Sequence, residues 1–311
     1  MGDELYEVRN SLAIGNFHQT IAEGGSAKTV LKKPDELLAF NNDRDALIAK
    51  AQIGLAQYDA VINDLRSATQ PSLVAVRLLA QVMKEVSVGA DTTAATVKVV
   101  EMLQEVSPHK ADVAVTAVSA LVATKNYSDA LKFAQKWVQG LDAAHNRQIV
   151  ELRAACTDVY LRLNRPDLGE KEIVLMKQLD DESTLTILTS GLVALRQGGV
   201  KPDRFNDAVV SFTEIVARCG QSVMVLNLLA LANLGQGDAQ QAEKHLLDAL
   251  RKKSGDPDTV ANLVVVSSQL CKPSEATLRY VAQAKAAQPQ SNWSRAYSTM
   301  EDRFREAVAA M

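Results

Sequence analysis

A unit of roughly 34 residues recurs along this chain, and it restricts the possible folds more than any other feature. The clearest copy lies between Ser222 and Asp256. Two segments with helical apolar spacing, roughly Ser222–Leu234 and Ala239–Lys252, flank Gly235-Gln236-Gly237-Asp238. The two glycines permit backbone angles that other residues avoid, so the stretch predicts two antiparallel helices joined by a tight turn. Small residues stand where such helices must approach: Ala230 in the first, Ala242 and Ala249 in the second. One copy alone would mean little. The small or apolar residue that opens each second helix recurs at Thr20, Val61, Ala95, Ala130, Gly169, Ala208, Ala242 and Ala276. The separations are 41, 34, 35, 39, 39, 34 and 34 residues, and the three longer ones coincide with polar or turn-forming insertions.

That period is the tetratricopeptide (TPR) period of about 34 residues. Leu226-x2-Leu229-Ala230 stands where the motif has W-x2-L-G, and Ala242-x3-Leu246 where it has A-x3-F. Asn233 replaces the usual tyrosine, and the closing proline comes late, as Pro257. Turns are predicted at Gly15-Asn16, Val88-Gly89-Ala90-Asp91, Lys125-Asn126-Tyr127, Asn164-Arg165-Pro166, Gly198–Pro202 and Lys272-Pro273-Ser274. Asp91 is a predicted N-cap, and Pro71 suits the first turn of a helix. No period-2 alternation occurs, so no sheet is expected. The reading is an all-α, TPR-like α-solenoid, a right-handed superhelix of about eight antiparallel helix pairs forming one domain over 1–311. The first pair starts at Asp3, 24–42 is a loop-rich insertion around Pro34, and 288–311 is a C-terminal cap. A single pair cannot bury its apolar face, whereas stacked pairs bury a continuous core.

The first helix of each pair is expected to line a concave wall that binds a partner. Residues offset from the packing positions give the groove candidates Leu188, Leu192, Leu195, Asn227, Leu231 and Leu234. They are mostly apolar, which favours a folded, apolar insert. The alternative is an adaptor or co-chaperone that grips a peptide's terminal carboxylate. That needs Lys, Arg and Asn converging on neighbouring first helices.

Composition narrows the function classes. Apolar residues make up 47% and aromatics 5% of the 311 residues, which suits helices packed through small side chains. Net charge is −3, and the densest basic cluster, Arg251-Lys252-Lys253, reads as a solvated helix end. Nucleic acid is therefore not an expected partner. Cys156, Cys219 and Cys271 are far apart and odd in number, fitting buried, reduced thiols rather than a zinc site or disulfide framework. No secretory pattern opens the sequence, and Tyr6 stands where a myristoylation start needs Ser or Thr. No apolar run reaches the length of a membrane span.

His18, His109, His145 and His245 are scattered without metal-ligand spacing and read as structural or surface groups. Glu170, Glu172, Asp180, Asp181 and Glu182 surround one helix and its end; they read as a solvated face and an acidic helix start. Gly235-Gln236-Gly237 falls between helices, not after a strand, so it does not cradle phosphate. Trp137 sits at helical spacing and reads as core. No catalytic, cofactor-binding or metal-binding residue emerges, and no enzyme activity is expected.

Asp3-Glu4-Leu5-Tyr6-Glu7-Val8-Arg9-Asn10 with Ile14-Gly15-Asn16-Phe17 resembles the start of the epsilon subunit family of coatomer. Leu226-Asn227, Gln236-Gly237, Ala242-Glu243, Ala249-Leu250, Asn262–Ser267 and Arg279-Tyr280 extend the similarity over nearly the whole chain; the loop 24–42 carries the least. The resemblance implies a structural subunit of the COPI vesicle coat, acting in Golgi-to-endoplasmic-reticulum retrieval and intra-Golgi traffic. It implies binding to the C-terminal domain of the alpha subunit, with a protruding hairpin of that partner encircled by the solenoid. It also implies a cytoplasmic protein, peripheral on Golgi membranes and coated vesicles, that meets the membrane only through the coat.

Overall fold

The computed structural model describes residues 4–289 and 291–310, and these fold into helices and turns without a strand. In chain order the helices are α1 (Tyr6–Ala13), α2 (Phe17–Ser26), α3 (Pro34–Gly54), α4 (Tyr58–Asp64), α5 (Pro71–Val88) and α6 (Thr93–Leu103). They continue with α7 (Ala111–Ala123), α8 (Tyr127–Gly140), α9 (Asn146–Arg162), α10 (Pro166–Leu179) and α11 (Thr184–Gly198). The last six are α12 (Arg204–Cys219), α13 (Val223–Gly235), α14 (Ala239–Lys252), α15 (Pro257–Gln269), α16 (Ser274–Ala287) and α17 (Asn292–Ala309). The fold is all-α, with antiparallel pairs of TPR type. Asp3, the expected start of the first pair, lies outside the described residues, as do Met1-Gly2 and, within the expected cap, Gln290 and Met311.

The chain divides into two compact units, Met1–Arg196 and Gln197–Met311. In the first, α1, α3, α5 and α7 each pack on their even-numbered mates and on the next odd-numbered helix, as in α1 with α2 and α3, or α7 with α8 and α9. Its largest core joins α5 to α9 through Val99, Leu103, Leu121, Trp137 and Leu152. Trp137 is fully buried there, and its indole Nε1 donates to the Leu103 carbonyl at 3.1 Å, satisfying an acceptor at the end of α6. In the second unit, Ala230, Ala242, Leu246, Leu263 and Val266 form the shared core of α13, α14 and α15. Of the eight recurrent positions, Thr20, Val61, Ala95, Ala130, Gly169, Ala208 and Ala242 are buried and Ala276 is half-buried. The period in the sequence is thus the period of close helix approach.

One turn geometry repeats. Gly15, Ala56, Gly89, Lys125, Asn164, Gly237 and Cys271 each have positive φ and sit at the same place between the helices of a pair. The following amide donates to the carbonyl five residues earlier, at 2.8–3.0 Å from Asn16→Ser11 to Lys272→Ser267. This is the Schellman termination, which satisfies carbonyls left over at a helix end. The α11–α12 connection, the expanded Gly198–Pro202 turn, lacks it.

The stretch 24–42 is not loop-rich throughout: α2 runs to Ser26 and α3 begins at Pro34, leaving only residues 27–33 outside helix. Pro34 occupies a first-turn position, where its missing N–H costs nothing, and Asp35 and Glu36 oppose the positive end of the helix. The cysteines are not uniformly buried: Cys156 is, Cys219 is half-buried, and Cys271 is exposed because it occupies the left-handed turn position. Asp91 acts as a cap, accepting the Thr93 amide at 2.9 Å and its hydroxyl at 2.6 Å, one residue ahead of the helix's own N-cap, Thr92.

Candidate functional site

The first unit encloses a cavity of about 400 Å³ whose walls come from the odd-numbered helices α1, α3, α5, α7, α9 and α11. The spacing within each helix explains the wall. On α1, Tyr6, Arg9, Asn10 and Ala13 fall on one face; on α3, Asp43, Ala46, Leu47 and Lys50 do the same. Helix α5 contributes the smaller Ser72 and Val76, α7 Asp112 and Thr116, and α9 Arg147, Val150 and Glu151. Asp180 and Ser183–Leu185 complete the lining at the start of α11. The first unit therefore curves enough for α1 and α11 to face one space.

The cavity has an apolar floor and charged walls. Arg9 on α1 reaches Asp43 on α3 at 3.5 Å. Arg147 on α9 reaches Asp112 on α7 at 3.0 Å and Glu151 at 3.8 Å. Gln148, mostly buried, donates to both Asp112 oxygens at 3.3 and 3.4 Å. The Arg9–Asp43, Arg147–Asp112 and Gln148–Asp112 contacts link neighbouring first helices across the wall. Burial pushes the Asp43 carboxyl above the usual carboxylate range, and Asp112 adds to the rise; Arg147, Arg9 and Lys50 oppose it without cancelling it.

No histidine or cysteine lines the cavity. Among the described residues no group of His, Cys, Asp and Glu is placed to hold a metal ion. Cys156 lies in the core, where burial and the nearby Glu172 push its thiol up to about 12, so it keeps its proton at neutral pH.

The six candidates from the sequence fall elsewhere. Leu188 is buried, and Leu192 and Leu195 are half-buried on α11; none lines the cavity. On α13, Leu231 is half-buried and Leu234 packs against the Ala230–Leu246 core. Asn227 is buried; it donates to the Val223 carbonyl and the Thr259 hydroxyl and accepts from Asn262, tying α13 to α15. The lining mixes apolar positions such as Ala46, Leu47, Val76 and Val150 with charged ones on α1, α3, α7 and α9, and an apolar criterion passes over the charged ones. The usable signal was the offset itself: Arg9, Asp43 and Arg147 lie one turn from buried core residues on first helices. Asp180, read as part of a solvated acidic end, also belongs to the wall.

Comparison with known proteins agrees with the helix-pair geometry. The family model described as the coatomer epsilon subunit matches residues 1–311. Coatomer subunit epsilon-1 of Arabidopsis thaliana is 28% identical over 307 residues, covering 98% of this chain and 96% of that protein. Coatomer subunit epsilon-2 of Oryza sativa subsp. japonica is 29% identical over 312 residues, covering 99% and 97%. Among solved structures, the APC/C hetero-tetramer Cut9-Hcn1 has a similar chain, with a TM-score of 0.60 at 12% identity over 91% of this chain and 52% of that one. That likeness concerns the fold alone.

Proposed function

The chain belongs to the coatomer epsilon subunit family, and we propose that it serves the coat by binding the C-terminal domain of the alpha subunit. In this reading it is a structural part of the coat that supports Golgi-to-endoplasmic-reticulum retrieval and intra-Golgi transport. It is cytoplasmic and peripheral on Golgi membranes and coated vesicles, and it reaches them through its partners. The observation that carries the reading is the cavity of the first unit, because six first helices contribute one wall to it. A partner segment that enters it touches several helix pairs at once, so many small contacts sum into one site. The segment 288–311 acts as the cap of the array.

The adaptor alternative, with a terminal carboxylate held by free cations, fits less well. Arg9 and Arg147 already face Asp43, Asp112 and Glu151. An incoming carboxylate would meet carboxylates first.

The test is calorimetric titration of the chain with the alpha subunit's C-terminal domain. Saturable binding is expected. Ser72→Trp places a large ring on the wall where α5 offers only a small side chain, and should weaken binding at least about ten-fold with little change in melting. Leu231→Asp asks the same of α13: weakened binding with an intact melt makes Leu231 a contact, and a collapsed melt makes it core. Absence of binding by the native chain defeats the reading.

A further inference from the structure

The cavity wall carries more negative charge than positive. Among its described lining residues Asp43, Asp112, Glu151 and Asp180 stand against Arg9, Lys50 and Arg147, four carboxylates to three cations. The carboxylates are not equally satisfied. Asp112 accepts from Arg147 and Gln148 and uses both of its oxygens. Glu151 lies 3.8 Å from the same Arg147 guanidinium. Asp43 has only the Arg9 contact, which at 3.5 Å is at the outer limit of a hydrogen bond and engages Oδ2 alone. A carboxylate accepts on both oxygens, so Oδ1 is open to a further donor. Asp43 also feels the Asp112 carboxylate, and its own carboxyl stays above the usual range although Arg9, Arg147 and Lys50 oppose the rise. Its charge is under-compensated by the chain itself. Lys50 stands two turns further along α3, about 10 Å along the axis, and makes no ion pair with it. Ala46 and Leu47, both buried, give apolar surface next to Asp43 on the same lining face.

We propose that the occupant of this cavity brings a basic side chain, the ammonium of a lysine or the guanidinium of an arginine, to the Asp43 carboxylate, with apolar residues beside it against Ala46 and Leu47. This partner chemistry rests on the coat reading and deepens it. An apolar segment without the cation would cover Asp43 and strip water from an under-compensated charge, which is unfavourable. With the cation present, the same desolvation strengthens the pair and brings the wall to neutrality. A segment carrying a carboxylate there would add to the excess and be rejected. Lys50 opposes the incoming cation, but only weakly, because about 10 Å is already one Debye length at 0.1 M salt.

The experiment uses the full chain and the alpha subunit's C-terminal domain in calorimetric titrations. Asp43→Asn keeps the shape of the wall and is expected to weaken binding about ten-fold. Asp180→Asn, at an exposed lining position without an ion pair among the described residues, should weaken it about three-fold. Lys50→Met removes the opposing cation and should tighten binding about two- to three-fold, which a purely structural role of Asp43 would not produce. Asp64→Asn, on the exposed face of α4 away from the cavity, should bind as the native chain does. Melting curves accompany each variant; if Asp43→Asn melts early, Asp180→Asn and Lys50→Met decide. Native affinity in Asp43→Asn, weaker binding in Lys50→Met, or equal losses in Asp43→Asn and Asp64→Asn overturns the basic occupant and leaves the coat reading standing. No binding by the native chain overturns the coat reading itself.

Discussion

At the scale of single residues, the repeated left-handed turn position shows how little the fold depends on the residue that fills it. Gly15, Gly89 and Gly237 occupy it freely, and Asn164 tolerates it. Ala56 and Lys125 hold φ values of 60° and 61° with exposed side chains that gain nothing in packing. The left-handed region costs an ordinary L-residue about 1–2 kcal/mol, while glycine costs about 0.4–1 kcal/mol more chain entropy on folding. Ala56→Gly should therefore leave stability unchanged or raise it by up to about 1 kcal/mol, against the usual direction of an alanine-to-glycine change. Gly237→Ala should cost about 1 kcal/mol, because a Cβ there meets no neighbour and only backbone strain is added. Urea unfolding of the two variants checks both signs; a loss in Ala56→Gly equal to that in Gly237→Ala would refute the argument. These turns were legible where a glycine marks them. Ala56 and Cys271 carry no such mark, and only the neighbouring helices impose the angle.

At the scale of elements, the starts of α13, α14 and α15 are each held by a side chain at the N-cap. Ser222 accepts the Val225 amide, Asp238 the Gln241 amide and Asp256 the Thr259 amide. Asp256 shows the energetics. Burial raises its carboxyl, but hydrogen bonds from the Thr259 hydroxyl, the Lys253 ammonium and the Thr259 amide outweigh that and hold it below the usual carboxylate range. A depressed folded-state value means that the stabilisation is complete above the unfolded value near 4 and is lost as pH falls through the folded one. Asp256→Ala should cost about 1 kcal/mol at neutral pH, and the difference from the native chain should shrink in that acidic window. Thermal melts of the pair from pH 7 to pH 3 measure it, and a gap that stays constant or widens toward acid would contradict the assignment. The α2–α3 junction is different. Pro34 reads equally as a loop residue and as a first-turn helix residue, and the choice was made by Phe40 and Leu47 packing against Leu5 and Val8.

At the scale of the whole molecule, charge is dispersed and slightly negative, and no described helix is long and apolar enough to cross a membrane. Such a charge balance offers an anionic membrane surface no net electrostatic attraction. Flotation with anionic vesicles should leave the purified chain in the bottom fraction at physiological salt and carry it upward only with the other coat subunits. Robust flotation of the chain alone would refute this.

The sequence by itself determined the all-helical class, the repeat and the close-packing positions, because each follows from local spacing. Ala242 and Leu246 lie on one stripe of one helix whatever surrounds them, and Trp137 falls in the core by the same rule. The wall of the cavity was decided only by the tertiary structure. Arg9, Asp43, Asp112 and Arg147 lie on four different helices, far apart in the chain, and read singly as solvated charges. The curvature of the first unit brings them around one cavity, and that curvature accumulates from small rotations between successive pairs that no local pattern encodes.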